Sequence, residues 1–230
     1  MSENIVFVKR YAETPMLQRI DMREVMRHAG YLGLPDAMDD SLREIFETVA
    51  EELKGTFSYK VCYRRMELEW QSITMKTPFK TDSSDLAKLL KGCDEAILFA
   101  ATVGIEIDRR ISKYQHISQA KALLAQAYGA ERVETLCNVF CAEIQAQTEK
   151  ENLKCTARFS PGYGDLPLET QRDFFRLLDC SRKIGISLND SLLMTPSKSV
   201  TAIFGLRTKT QLDHCDLLND YSQERLTEED

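Results

Sequence analysis

The chain has 230 residues, of which 43% are hydrophobic and 29% charged, and its formal net charge is −6. That length and balance point to a folded protein with a sizeable core, not a disordered chain. The acidic surplus argues against nucleic acid as a partner, because a phosphate backbone is drawn to basic surfaces.

Cysteine usage points to the compartment. The seven cysteines, at positions 62, 93, 137, 141, 155, 180 and 215, are odd in number and show no CxxC spacing. The first residues, MSENIVFVKR, place no long apolar run behind a basic start, and no stretch approaches the length of a membrane span. The expectation is a reducing cytoplasm, with thiols mostly buried as small hydrophobes and no contact with a membrane.

The elements follow in chain order. Residues 4–10 alternate as a short strand. Asp21 followed by Glu24 is a capping box for a helix reaching His28, with Gly30 at its end. Leu42, Ile45, Phe46, Val49, Ala50 and Leu53 recur at helical spacing up to Gly55. Period two then takes over: Phe57, Tyr59, Val61 and Tyr63 share one face, and Met66, Leu68 and Trp70 suggest a second strand. Residues 83–91 read as a helix stopped by Gly92. The run AILFAAT at 96–102 reads as a strand buried on both faces.

A helix over 104–114 is expected to turn Ile107 and Ile111 inward. Residues 119–148 form the longest helical stretch, with Val133, Leu136, Cys137, Phe140 and Ile144 as its apolar stripe and Gly129 as a candidate break. A strand over 155–160, a Pro161-Gly162 turn and a helix over 168–179 come next. Residues 188–194 and 199–206 are expected to be two strands of a hairpin turning at Pro196-Ser197-Lys198. The polar, acidic residues 219–230 read as a frayed tail. No repeat or linker divides the chain, so the fold class is α+β in one continuous domain.

Two segments carry candidate chemistry. Residues 158–167, RFSPGYGDLP, pack two glycines, two prolines and a tyrosine between a strand and a helix. Glycines admit a ligand close to the backbone, a helix start favours an anion, and the Arg158 fork matches a carboxylate. The competing reading is a rigid turn with a surface arginine. Residues 191–206, SLLMTPSKSVTAIFGL, have small hydroxyl side chains and Gly205 along a strand that a flat ligand can approach. Taken alone, this segment reads as an ordinary hairpin.

Other candidates are weaker. Cys137 and Cys141 share a helix face without a nearby histidine, so buried thiols are expected there and not a metal site. His214-Cys215 are adjacent and face no common site. No Asp-x-His-x-x-Gly, no Gly-x-Gly-x-x-Gly after a strand and no P-loop is present.

Together, the Arg-x-x-Pro-Gly-Tyr pattern at 158–163 and the Ser-Leu-x-Met-x-Pro-x-x-Ser-Val pattern at 191–200 resemble the activation domain of vitamin B12-dependent methionine synthase, here in a free-standing form. The resemblance is strong over residues 158–206, weak over 96–153 and nearly absent before that; the domain it implies spans 1–218, with the best match over 96–206. It implies a mainly antiparallel sheet flanked by helices. It also implies S-adenosylmethionine as methyl donor, used to reactivate a corrinoid that has fallen into an inert oxidised state. The cobalamin would be held by a separate corrinoid-binding methionine synthase chain, and the electron would come from a flavodoxin-like donor.

Carried over residue by residue, the resemblance assigns the ligand carboxylate to Arg158 and backbone contacts to Ser160 and Gly162. It places Tyr163 at the face where methyl transfer occurs and adds Glu134, Phe204 and Gly205 as further contacts. The Asp-Trp-Thr-Pro-type segment of fused members has no counterpart here, and Pro167-Leu168-Glu169 stands where they carry Pro-Asp-His. The alternatives are a ligand-binding or corrinoid-protein-capping module without catalysis, and service to a different corrinoid methyltransferase.

Overall fold

A six-stranded antiparallel sheet organises the molecule in a computed structural model that describes residues 5–12, 15–31, 33, 38–69, 74–75 and 81–208. Its strands are β1 (Phe7–Tyr11), β2 (Tyr59–Glu69), β3 (Thr74–Met75), β4 (Glu95–Thr102), β5 (Leu153–Cys155) and a last long strand, β8 (Ser199–Thr208). They lie in the order β1-β2-β4-β8-β5, with β3 pairing the end of β2. The helices are α1 (Pro15–Gln18), α2 (Met22–His28), α3 (Asp40–Glu52), α4 (Ser84–Leu90), α5 (Glu106–Gln115), α6 (Gln119–Thr148), α7 (Gln171–Leu178) and α8 (Cys180–Ile184). Two short strands, β6 (Ser187–Leu188) and β7 (Met194–Thr195), form a separate pair among the described residues.

The centre of the sheet is buried on both faces, and β4 shows how. Ile97, Phe99 and Ala101 point into a core shared with α3, α5 and α6, while Ala96, Leu98 and Ala100 point into a second core under α4, α7 and α8. The α+β class with helices flanking an antiparallel sheet is therefore the observed fold. Phe140 of α6 anchors the first core, its ring 5.0 Å from Phe99 and 6.4 Å from Phe204. A phenylalanine buried this completely contributes about 2 kcal/mol through apolar area alone.

Four local expectations are corrected. The change of parity near Arg64 is no break: residues 59–69 are one strand, with Tyr59 and Val61 in one core and Cys62 and Met66 in the other. Gly129 does not interrupt α6, which runs unbroken for 30 residues. A Cβ at Gly129 would lie 2.9 Å from Lys198 Cγ and 3.0 Å from Ile107 Cγ1, so the missing side chain serves close packing. The strand expected over 155–160 ends at Cys155 and resumes only as a single bridge from Phe159 to Ile203. Residues 188–194 do not form a hairpin with 199–206. They close on themselves, Ser187 opposite Thr195 and Leu188 opposite Met194, while β8 pairs with β4 and β5.

Trp70, His214, Cys215 and the tail 219–230 lie outside the described residues. Among those described, no helix is long and apolar enough to cross a membrane.

Candidate functional site: the Arg158 cleft

Arg158 reaches the cleft because its neighbours are stitched to β8 and it is not. Thr156 exchanges bonds with Gly205, its N–H to the Gly205 carbonyl and its hydroxyl accepting the Gly205 N–H, both at 2.9 Å. Phe159 exchanges two 2.8 Å bonds with Ile203. Between these anchors Arg158 turns toward α6, where its Nη2 donates to Asn138 Oδ1 at 2.9 Å and to Glu134 Oε2 at 3.1 Å. Glu134 and Asn138 are one helical turn apart and present the same face of α6.

The following loop is a closed turn. Gly162 N–H donates to the Leu166 carbonyl at 2.9 Å, Leu166 N–H to the Tyr163 carbonyl at 3.0 Å, and Tyr163 N–H to the Ser160 carbonyl at 3.1 Å. Gly162 sits at φ 90° and Gly164 at φ 51°, a region that side chains disfavour. A Cβ at Gly164 would also come within 2.6 Å of Asp85 Oδ2. Asp165 fastens the turn to the start of α4: its carboxylate accepts from Ser84 N–H at 2.7 Å, Ser84 Oγ at 2.8 Å, Asp85 N–H at 3.3 Å and the Ser83 hydroxyl. The Ser83 and Ser84 hydroxyls and these amides hold the Asp165 carboxyl well below the usual carboxylate range.

The resulting cleft has a volume of about 190 Å³ and is lined by Glu134, Arg158, Phe159, Ser160, Tyr163, Val200 and Ala202. Tyr163 stands at its mouth, 68% exposed. Burial of the Arg158 guanidinium works against its charge, but the Cys137 and Cys141 sulfurs, when ionised, and the Glu134 carboxylate outweigh that and raise its pKa. Burial pushes the Cys141 thiol up to about 11 and raises Cys137 as well. Both thiols are therefore protonated at neutral pH, which leaves Glu134 as the charged group among these three neighbours. A fixed cation beside a half-exposed carboxylate can take up both charged ends of an amino acid. Among the described residues no three His, Cys, Asp or Glu side chains group as metal ligands.

Of the residues singled out from the sequence, the structure brings Glu134, Arg158, Ser160 and Tyr163 to one cleft. Gly162 lies in the turn behind them, its N–H committed to Leu166. Phe204 and Gly205 do not line the cleft. Phe204 is buried in the aromatic core beside Phe99 and Phe140, and the Cβ position of Gly205 faces Cys93 Sγ at 2.4 Å on the other side of the sheet. Val200 and Ala202 take the lining positions on β8, and Asn138 was not singled out. Its signal was available, four residues beyond Glu134 on a helix.

Three comparisons bear on this arrangement. A family model described as "Vitamin B12 dependent methionine synthase, activation domain" matches residues 11–218. A crystal structure of the MetH reactivation domain bound to AdoHcy superposes with a TM-score of 0.62 and 16% identity, covering 87% of this chain and 78% of that one. That likeness shows the fold. Comparison with curated protein sequences finds no match.

Proposed function

We propose, for a chain that belongs to the vitamin B12-dependent methionine synthase activation domain family, that it binds S-adenosylmethionine in the Arg158 cleft and presents the methyl group to a corrinoid held by a separate chain. The observation that carries this reading is the Arg158–Glu134 pair at a cleft with an open mouth. Pockets for whole ligands of this size run to roughly 300–1,000 Å³. A cleft of about 190 Å³ therefore suits the amino-acid end and leaves the sulfonium near the mouth.

S-adenosylmethionine supplies an activated methyl, and the reduced corrinoid of the partner chain supplies the nucleophile that takes it, with S-adenosylhomocysteine as leaving product. This chain's part is placement. Arg158 binds the ligand carboxylate, Glu134 faces the ammonium, and Ser160 lines the floor. Tyr163, exposed at the rim, stands between the ligand and the partner surface and excludes water when the two surfaces meet. The electron that returns the corrinoid to its reactive state comes from a flavodoxin-like donor in this reading, and the setting is the cytoplasm.

A second reading has one observation in its favour. Arg158 is already bonded to Glu134 and Asn138, which suits a module that keeps the fold and holds a different small ligand, or caps a corrinoid protein, without catalysis. The deciding experiment mixes the protein with a purified corrinoid-binding methionine synthase chain, a reductant and S-adenosylmethionine, and follows the cobalt absorption spectrum. Conversion to the methylated form that requires this protein supports reactivation. No conversion, with binding intact, supports the binding module.

A further inference from the structure

Arg158 meets both its acceptors through one nitrogen. Nη2 carries two hydrogens, and Glu134 Oε2 at 3.1 Å and Asn138 Oδ1 at 2.9 Å take them. A carboxylate docks on a guanidinium with two parallel bonds by using Nη2 together with either Nε or Nη1. With both Nη2 hydrogens engaged, neither two-pronged edge is open, so a ligand carboxylate must displace Glu134 or Asn138.

Charge decides which acceptor leaves. If Asn138 left, Arg158 would stand between Glu134 and the ligand carboxylate, one cation against two anions in a half-buried site. If Glu134 leaves, Arg158 pairs with the ligand carboxylate, and Glu134, 45% exposed, is free to turn to the ligand ammonium. One internal ion pair is exchanged for two external ones. A group must hold the guanidinium in the cleft during that exchange, and it must be uncharged so as not to compete with the arriving carboxylate.

We propose that Asn138 is this positioning residue: it keeps Arg158 aimed into the cleft while Glu134 gives up its place to the carboxylate of an α-amino-acid ligand. The proposal rests on the reading of the cleft given above. It makes the site selective for a zwitterion, because a ligand without an ammonium leaves Glu134 unpaired and one without a carboxylate gains nothing from Arg158. An aspartate at 138 would keep the shape of the side chain and spoil the exchange by placing a permanent second anion on Nη2.

The test has a ligand arm and a ligand-free arm. In the first, calorimetry compares S-adenosylmethionine with its decarboxylated analogue on wild type, Asn138→Ala and Asn138→Asp. Asn138→Ala should weaken S-adenosylmethionine about tenfold, the loss of one charge-assisted bond, and leave the decarboxylated analogue unchanged. Asn138→Asp should weaken S-adenosylmethionine and tighten the cationic analogue, a reversal that a merely structural role does not produce. Equal losses on both ligands would overturn the proposal.

In the second arm, nitrogen NMR follows rotation of the Arg158 guanidinium in Glu134→Ala, which imitates the exchanged state. Rotation should remain slow there and become fast when Asn138→Ala is added. No change on adding Asn138→Ala would mean that Asn138 does not hold Arg158. If wild type binds neither ligand, the functional reading fails, while the rotation measurement still decides what Asn138 does.

Discussion

The carboxylate of Asp165 accepts the backbone N–H of Ser84 at 2.7 Å and the Ser84 hydroxyl at 2.8 Å, so the loop that carries Tyr163 is tied to the first turn of α4 on the far side of a glycine turn. Asp165 does for α4 what an N-cap residue does within one segment, from eighty-one residues away in sequence.

Asp165→Asn should therefore loosen the loop, and the effect should depend on pH. The folded-state pKa of Asp165 lies below its ordinary value because Ser83 and Ser84 bond the charged form. Its contribution is thus fully present above about pH 4, the unfolded carboxylate range, and is lost as pH falls through the depressed value. Melting temperatures of wild type and Asp165→Asn should differ at pH 7 and converge below about pH 4. A difference that stays constant down to pH 2 would show that the carboxylate is not what ties the loop.

Gly129→Ala should destabilise the protein even though alanine is the better helix former by about 1 kcal/mol. The added methyl would meet Lys198 Cγ at 2.9 Å and Ile107 Cγ1 at 3.0 Å in a buried contact. Overpacking of this kind costs about 1–3 kcal/mol, which exceeds the propensity gain. Urea unfolding measures the balance, and a stabilised variant would mean that Lys198 yields without cost.

The same contact shows where the sequence was legible and where it was not. Caps, stops and apolar spacing located most elements: Asp21 caps α2, Gly92 follows the end of α4, and the unbroken run 96–102 is a strand buried on both faces. Gly129 looked like a break because propensity is local, whereas the reason for glycine is Lys198, sixty-nine residues on. The parity change within β2 suggested a second strand because alternation presumes one buried face, and β2 packs against a core on each side. In the site, the residues of 158–167 pointed to Arg158 and a glycine turn, and the family resemblance added Glu134, Ser160 and Tyr163. Phe204 and Gly205 are set by how far β8 runs under α6, and that register comes from pairing with β4, which no local pattern records.

Arg132 should be among the costliest residues to truncate. It is buried, pairs with Glu131, and donates through Nη2 to the Arg19 carbonyl at 2.7 Å and through Nη1 to the Leu17 carbonyl. Glu131 in turn accepts the Asp21 N–H at 3.1 Å and the Thr135 hydroxyl at 2.9 Å. Breaking one side of such a pair leaves a buried charge and costs about 3–5 kcal/mol. Arg132→Ala should lose that much in urea unfolding, and Arg132→Met with Glu131→Gln should lose less than the sum of the single changes. A loss under about 1 kcal/mol for Arg132→Ala would contradict a role in fastening the N-terminal helices to α6.

The central claim is that Arg158 receives the carboxylate of S-adenosylmethionine, and calorimetric titration of wild type and Arg158→Lys tests it most directly. Lysine keeps the charge but loses the fork that grips a carboxylate with two bonds. A charge-assisted hydrogen bond contributes about 1.5–3 kcal/mol, so affinity should fall by roughly ten- to a hundredfold. The fold should hold, since the Arg158 guanidinium faces a cleft and, among the described residues, bonds side chains of α6. Binding by wild type with a loss in that range for Arg158→Lys is the predicted result. Equal affinities, or no binding by wild type at millimolar ligand, would contradict the account.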